Sequence, residues 1–157
     1  MARRLRPVGL DFIRTAPLRL VFARVVAAPP EAVFHALAED VEGWSEWFWA
    51  VTSARRSDSG REVRLRGGTR FQETVLVADS PEVYAYRVDV TNAPGARALV
   101  EEWRLTPDGT GTRVQWTFAA DGSAPFRFAL RLARVGMGRA FRDAVTALDR
   151  RLASAAA

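Results

Sequence analysis

A chain of 157 residues, 48% of them hydrophobic, has the size of one globular domain and enough apolar surface for a real core. It contains no cysteine, no lysine and a single histidine, His35. That excludes disulfides, thiolate or histidine metal clusters, a cysteine nucleophile and Schiff-base chemistry, and it leaves little room for a Ser–His–Asp triad. The net charge of +5 comes from arginines scattered among acids; only Arg3, Arg4 and Arg6 cluster, at a terminus expected to be mobile, so nucleic acid is not an expected partner.

Residues 1–17 read as a lead-in to a core at 18–152, the whole being one domain over 1–157. The basic start is not followed by a long apolar run, so neither a signal peptide nor a membrane span is expected. With no cysteine, a reducing cytoplasm is the expected location. Leu10, Phe12 and Ile13 are apolar enough to lie over the body of the domain. Leu18 to Ala27 reads as a strand whose inner face is ambiguous: Leu20, Phe22, Arg24 and Val26 compete with Val21, Ala23 and Val25. Pro29-Pro30 stops it, and Pro30-Glu31 opens a short helix with Val33, Phe34 and Leu37 inward and His35 near the surface. Glu42 to Trp49 is too dense in aromatics for a solvent loop and must cover apolar surface, as core or as a cavity wall.

From Ala50 to Ala120 the period is two. Val63 and Leu65 alternate with Glu62, Arg64 and Arg66. Phe71, Glu73, Val75 and Val77 alternate with Gln72 and Thr74, and Tyr84, Tyr86, Val88 and Val90 with Arg87 and Asp89. Leu99, Glu101, Trp103 and Leu105 alternate with Glu102 and Arg104, and Val114, Trp116 and Phe118 with Arg113, Gln115 and Thr117. Turn residues punctuate the runs at 57–60, 67–68, 79–81, 92–95 and 107–111, so neighbouring strands are antiparallel, with one apolar and one polar face.

The chain closes in a long helix capped by Ser123, with Pro125 in its first turn. Phe126, Leu130, Met137, Phe141, Val145, Leu148 and Leu152 share one face. Arg139, Arg142, Asp143, Thr146, Asp149 and Arg150 point to water. Phe128, Leu132 and Val135 fall opposite the main stripe. Gly136 and Gly138, each costing about 1 kcal/mol against alanine in a helix, suggest close packing or a kink, and Arg127 and Arg134 project near the apolar face.

A strand, two short helices, a meander and a long helix assemble most economically as an α+β fold. A curved antiparallel sheet of about seven strands wraps around the C-terminal helix, and a cavity is left where sheet and helix do not meet. The local cues support a resemblance. Val26-Ala27-Ala28-Pro29-Pro30-Glu31-Ala32-Val33-Phe34 resembles the passage from first strand to first helix in the SRPBCC superfamily, the START-like helix-grip proteins. Trp44 to Trp49 resembles the tryptophan-containing segment that follows there. Phe71 to Val75, with Asp79-Ser80-Pro81 and Tyr84-Ala85-Tyr86, resembles its central strand pair, and Gly111-Thr112-Arg113-Val114-Gln115-Trp116 its "G-T-x-V-x-W" strand. The resemblance spans Leu18 to Leu152 and is nearest to the polyketide cyclase/dehydrase-like branch. It implies a pocket for a hydrophobic or aromatic small molecule, lipid- or polyketide-like; no metal or cofactor is expected. It leaves open carrier, sensor or enzyme.

Alternation places Glu73 and Glu101 on the apolar face, about 10 Å apart if the Tyr84–Val90 strand lies between theirs. A carboxylate in such a cavity is costly to ionise unless paired. Arg24 and Arg134 are the candidate partners. One reading makes a glutamate the general acid/base of an aldol-type cyclisation or dehydration, with Tyr86 or Arg134 holding the oxyanion. The other makes the acids part of a structural Glu–Arg pair. Ligand contacts are expected from Trp47, Phe48, Phe71, Glu73, Tyr86, Glu101, Trp103, Trp116, Phe118, Arg134, Met137 and Phe141. A third use of the chain is as a protein-interaction module, through Trp44–Trp49 or the off-stripe Phe128, Leu132 and Val135, with a homodimer its simplest product.

Overall fold

The computed structural model describes residues 1–157. In chain order it runs β1 (Arg3–Arg4), α1 (Phe12–Thr15), β2 (Leu18–Val26), α2 (Pro30–Phe34) continuing through a wider π-type turn (His35–Glu39), α3 (Trp44–Trp47), β3 (Val51–Arg56), β4 (Gly60–Leu65), β5 (Arg70–Asp79), β6 (Val83–Thr91), β7 (Ala96–Asp108), β8 (Gly111–Gly122) and α4 (Ala124–Ala156). The main sheet has the order β2-β8-β7-β6-β5-β4-β3, every neighbour antiparallel. It curves around α4, which is the helix-grip arrangement expected. No helix is long and apolar enough to cross a membrane.

The pairing of β2 with β8 resolves its face. Leu20 lies opposite Phe118 and Phe22 opposite Trp116, so Leu18, Leu20, Phe22 and Val26 point inward while Val21 and Val25 are exposed. Arg24 shares the inner parity but is exposed, although Val26 beyond it is buried.

The N-terminal basic cluster is not a free arm. Strands β6 and β7 pair only from Val83 to Arg87, and beyond that the first residues fill the gap. Arg3 and Arg4 pair with Thr91 and Val90, Leu5 N–H donates to Asp89 at 2.8 Å, and Arg6 N–H donates to Arg97 at 2.9 Å. Leu5 is buried there. The expected mobility is overturned because an unpaired stretch of sheet edge leaves backbone groups that this segment satisfies. Nor is the outer face uniformly polar. Phe12 and Ile13 of α1 cover Ala98, Val100 and Ala119, a second small core behind β7 and β8.

Helix α4 is held differently at its two ends. Ser123 Oγ accepts from Phe126 N–H at 3.3 Å, capping the start as expected. In the C-terminal half Phe141, Ala144, Val145 and Leu148 are buried against the sheet. Asp149, expected to face water, instead accepts hydrogen bonds from the N–H groups of Ala27 and Ala28 at 3.0 and 2.9 Å. It clasps the turn after β2, where Pro29 and Pro30 supply no donors of their own. Helix and sheet approach closely at Gly138, since a Cβ there would lie 3.1 Å from the Phe22 ring. Gly136, two residues earlier, faces open space. The N-terminal half stands off the sheet. Its outer side exposes Phe128, Leu132 and Val135 at 60%, 69% and 73%.

Candidate functional site: an apolar cavity with a buried charged cluster

Where α4 stands off, the sheet and the helix enclose a cavity of about 310 Å³. Phe126, Leu130, Met137 and Ala140 line it from the helix, Trp44 and Phe48 from α3 and its end, and Val51, Val63, Phe71, Leu99, Trp116 and Phe118 from the strands. Sixteen of the 20 lining residues are hydrophobic, Tyr86 among them, so the polar groups stand out as the chemistry of the site: Arg61, Glu73 and Glu101 with the Tyr86 hydroxyl, and Thr69 apart from them at the turn end of the β4–β5 hairpin.

Strand register assembles these four. Arg61 of β4 lies directly opposite Glu73 of β5, and Tyr86 of β6 directly opposite Glu101 of β7. Side chains so placed on one face are neighbours. Arg61 Nε donates to Glu73 Oε2 in a short, fully buried ion pair. The guanidinium is sandwiched between aromatic faces, its central carbon 4.0 Å from the Trp44 ring centroid and 4.2 Å from that of Tyr86. Tyr86 Oη donates to Glu101 Oε1 at 3.1 Å, Trp116 Nε1 donates to the same oxygen at 2.9 Å, and Trp103 Nε1 donates to Tyr86 Oη at 3.2 Å. Arg61 Nη1 is buried and has no hydrogen-bond partner in the protein.

Burial is the largest single effect and would lower the pKa of Arg61, but the charge of Glu73, the two tyrosines Tyr86 and Tyr84 and the hydrogen bond to Glu73 together more than offset it, and the guanidinium stays protonated. Burial pushes Glu73 up while Arg61 pulls against it. Glu101 has no cation in contact. Burial first, and the nearby Glu73 second, raise its carboxyl from 4.5 to about 7, although Arg61 and the two hydrogen bonds work in the other direction. Tyr86 is pushed well above its ordinary value by burial and by Glu101, so it acts as a neutral hydroxyl. The cluster therefore holds one permanent cation, one carboxylate paired to it, and one carboxyl poised to gain or lose a proton near neutrality.

Of the residues expected at the site, Phe48, Phe71, Glu73, Tyr86, Glu101, Trp116, Phe118 and Met137 line the cavity. Trp103 and Phe141 do not. Trp103 is stacked behind Trp116, ring centroids 5.5 Å apart, and Phe141 packs against Phe22, Trp103 and Trp116. Both have the right parity but lie deeper, where α4 already touches the sheet. Trp47 is likewise buried outside the cavity wall, against Trp44 and Phe48. Arg134 is exposed on the outer side of α4 and reaches neither acid, and Arg24 is exposed too. The partner of Glu73 is Arg61, a residue sequence reasoning passed over. The signal was there, since the alternation of Val63 and Leu65 extended two positions back puts Arg61 on the inner face. His35 is on the surface, 3.5 Å from Glu39. No group of three or more His, Cys, Asp or Glu side chains could hold a metal ion.

The chain is similar to known proteins along most of its length. An uncharacterised protein of Mycobacterium tuberculosis, Rv2574, is 28% identical over 142 residues, covering 86% of this chain and 84% of that protein. A START superfamily protein from Mycobacterium smegmatis superposes with a TM-score of 0.67 at 13% identity, covering 87% of this chain and 97% of that one. A conserved protein from Geobacillus kaustophilus gives a TM-score of 0.70 at 17% identity, covering 87% and 96%. At these identities the solved structures speak for the fold alone. Residues 18–153 match the family described as polyketide cyclase/dehydrase and lipid transport, and the helix-grip sheet, the long C-terminal helix and the cavity between them agree with it: the chain belongs to that family of START-like SRPBCC proteins.

Proposed function

We propose that this protein binds a hydrophobic or aromatic small molecule, lipid- or polyketide-like, between the sheet and the first half of α4, and acts as its carrier or sensor in the cytoplasm. The carrying observation is the cavity itself, about 310 Å³ with aromatic and aliphatic walls and a single polar cluster. Such a site gains its binding energy from apolar burial and its orientation from a few polar groups. The family's description names both polyketide cyclisation and lipid transport, and an apolar cavity suits either ligand. The test is native mass spectrometry of protein purified from its native host, followed by extraction and identification of what it retains. A retained aromatic or lipid species is the expected result. An empty protein that also shows no mass shift with a panel of aromatic and lipid compounds would refute the reading.

Glu101 favours a second reading, an aromatase/cyclase- or dehydrase-like enzyme. A carboxyl titrating near 7 can give and take a proton at physiological pH, and the Tyr86 hydroxyl stands beside it. In that case Glu101→Gln keeps ligand uptake and loses turnover. Unchanged turnover would remove Glu101 from any mechanism.

A further inference from the structure

Resting on the reading of the cavity as a ligand site, we infer that its occupant presents a neutral carbonyl group to Arg61 Nη1, and that carboxylates and phosphates are poor ligands. Arg61 is part of the cavity wall, is 2% exposed, and holds a donor that nothing in the protein accepts. A buried N–H without an acceptor is costly, and an occupant supplying an oxygen removes that cost. The guanidinium is held by Nε, which donates to Glu73, and by the Trp44 and Tyr86 rings packed against it. Its orientation is therefore set before anything binds.

The sign of the occupant's charge follows from counting the charges already present. Arg61 is the one basic residue in the cavity wall, and two carboxyl groups, Glu73 and Glu101, share that wall with it. Glu73 takes up the guanidinium's charge. An anionic headgroup at Nη1 would be a third acid around one cation in a desolvated site, with no second cation to offset it. A ketone, quinone or amide oxygen accepts the same hydrogen bond without adding charge. Glu101 strengthens the preference. Its Oε1 receives both Tyr86 and Trp116, which leaves Oε2 for the occupant, and Tyr86 ties it to the same side of the cavity as Arg61. A protonated Glu101 can donate to a hydroxyl next to that carbonyl. The ligand is thus an apolar body with one neutral carbonyl end, not a fatty acid or phospholipid held by its acid group.

Three probes of one size separate the possibilities: 2-acetylnaphthalene, 2-ethylnaphthalene and 2-naphthoate, their binding measured by isothermal titration calorimetry near pH 7. The wild type is expected to bind the acetyl compound at least tenfold more tightly than either of the others. Arg61→Met alone would strand Glu73, so the matching variant is Arg61→Met with Glu73→Leu, which replaces the pair by apolar groups. It is expected to bind the acetyl and ethyl compounds within about twofold of each other. Equal affinity of the wild type for acetyl and ethyl, or tighter binding of the naphthoate, overturns the inference while leaving the cavity as a binding site. Binding of none of the three overturns the cavity reading and the inference with it. The wild-type comparison decides the matter even if the double variant does not fold.

Discussion

Replacing Glu101 by glutamine should change how the protein's stability depends on pH. In the folded chain the carboxyl binds its proton up to about pH 7, whereas in the unfolded chain it ionises around 4.5. Below pH 4.5 both states are protonated and the group is neutral toward folding. Between 4.5 and 7 the unfolded state gives up the proton first, so stability falls as the pH rises, and above 7 the loss is complete. A gap of that size corresponds to about 3 kcal/mol. Glutamine is the uncharged isostere of the protonated acid, and its amide oxygen can still accept from Tyr86 and Trp116. Glu101→Gln should therefore match the wild type at pH 4 to 4.5 and exceed it by about 3 kcal/mol at pH 8, which for a domain of this length is a rise in Tm of roughly 6 to 12 °C. The assay is urea unfolding followed by tryptophan fluorescence at half-unit pH steps, at constant ionic strength. The difference between the two proteins cancels the titration of groups they share. A difference that stays flat from pH 4.5 to 8 would refute the argument, because it would mean that Arg61 neutralises Glu101 as well as Glu73.

Two further predictions concern α4. Gly136→Ala should stabilise the protein by about 1 kcal/mol, since the site is open and alanine is the better helix former. Gly138→Ala should forfeit that gain against the Phe22 ring, and thermal melts of the two variants side by side would show it; equal shifts would mean that the close approach of helix and sheet is not as described. Asp149→Ala should cost about 1 to 2 kcal/mol by stranding two N–H groups after β2, and an unchanged denaturation midpoint would show that water replaces the clasp at no cost.

The sequence by itself determined the element order from β2 onward, the parity of the central strands, the cap and apolar stripe of α4, and the presence of two acids on a hydrophobic face. These properties are local: a period of two or 3.6, a turn residue or a capping side chain is written in neighbouring positions. What only the tertiary structure decided was depth and partnership. Trp47, Trp103 and Phe141 have the same apolar character as Phe48, Trp116 and Met137, but only the latter three reach the cavity, because that depends on where α4 parts from the sheet. Arg134 lies on the same helix as Met137, yet the rotation of that helix turns it outward. Arg61 meets Glu73 because register sets positions 12 residues apart directly opposite each other, and Asp149 meets Ala27 and Ala28 across 121 to 122 residues because the C-terminal half of α4 lies beside the end of β2. The first pairing is set by the register of one hairpin, which the alternation hinted at without fixing, whereas the second is set by the closure of the whole sheet on its helix, and no short window of the sequence contains both of its partners.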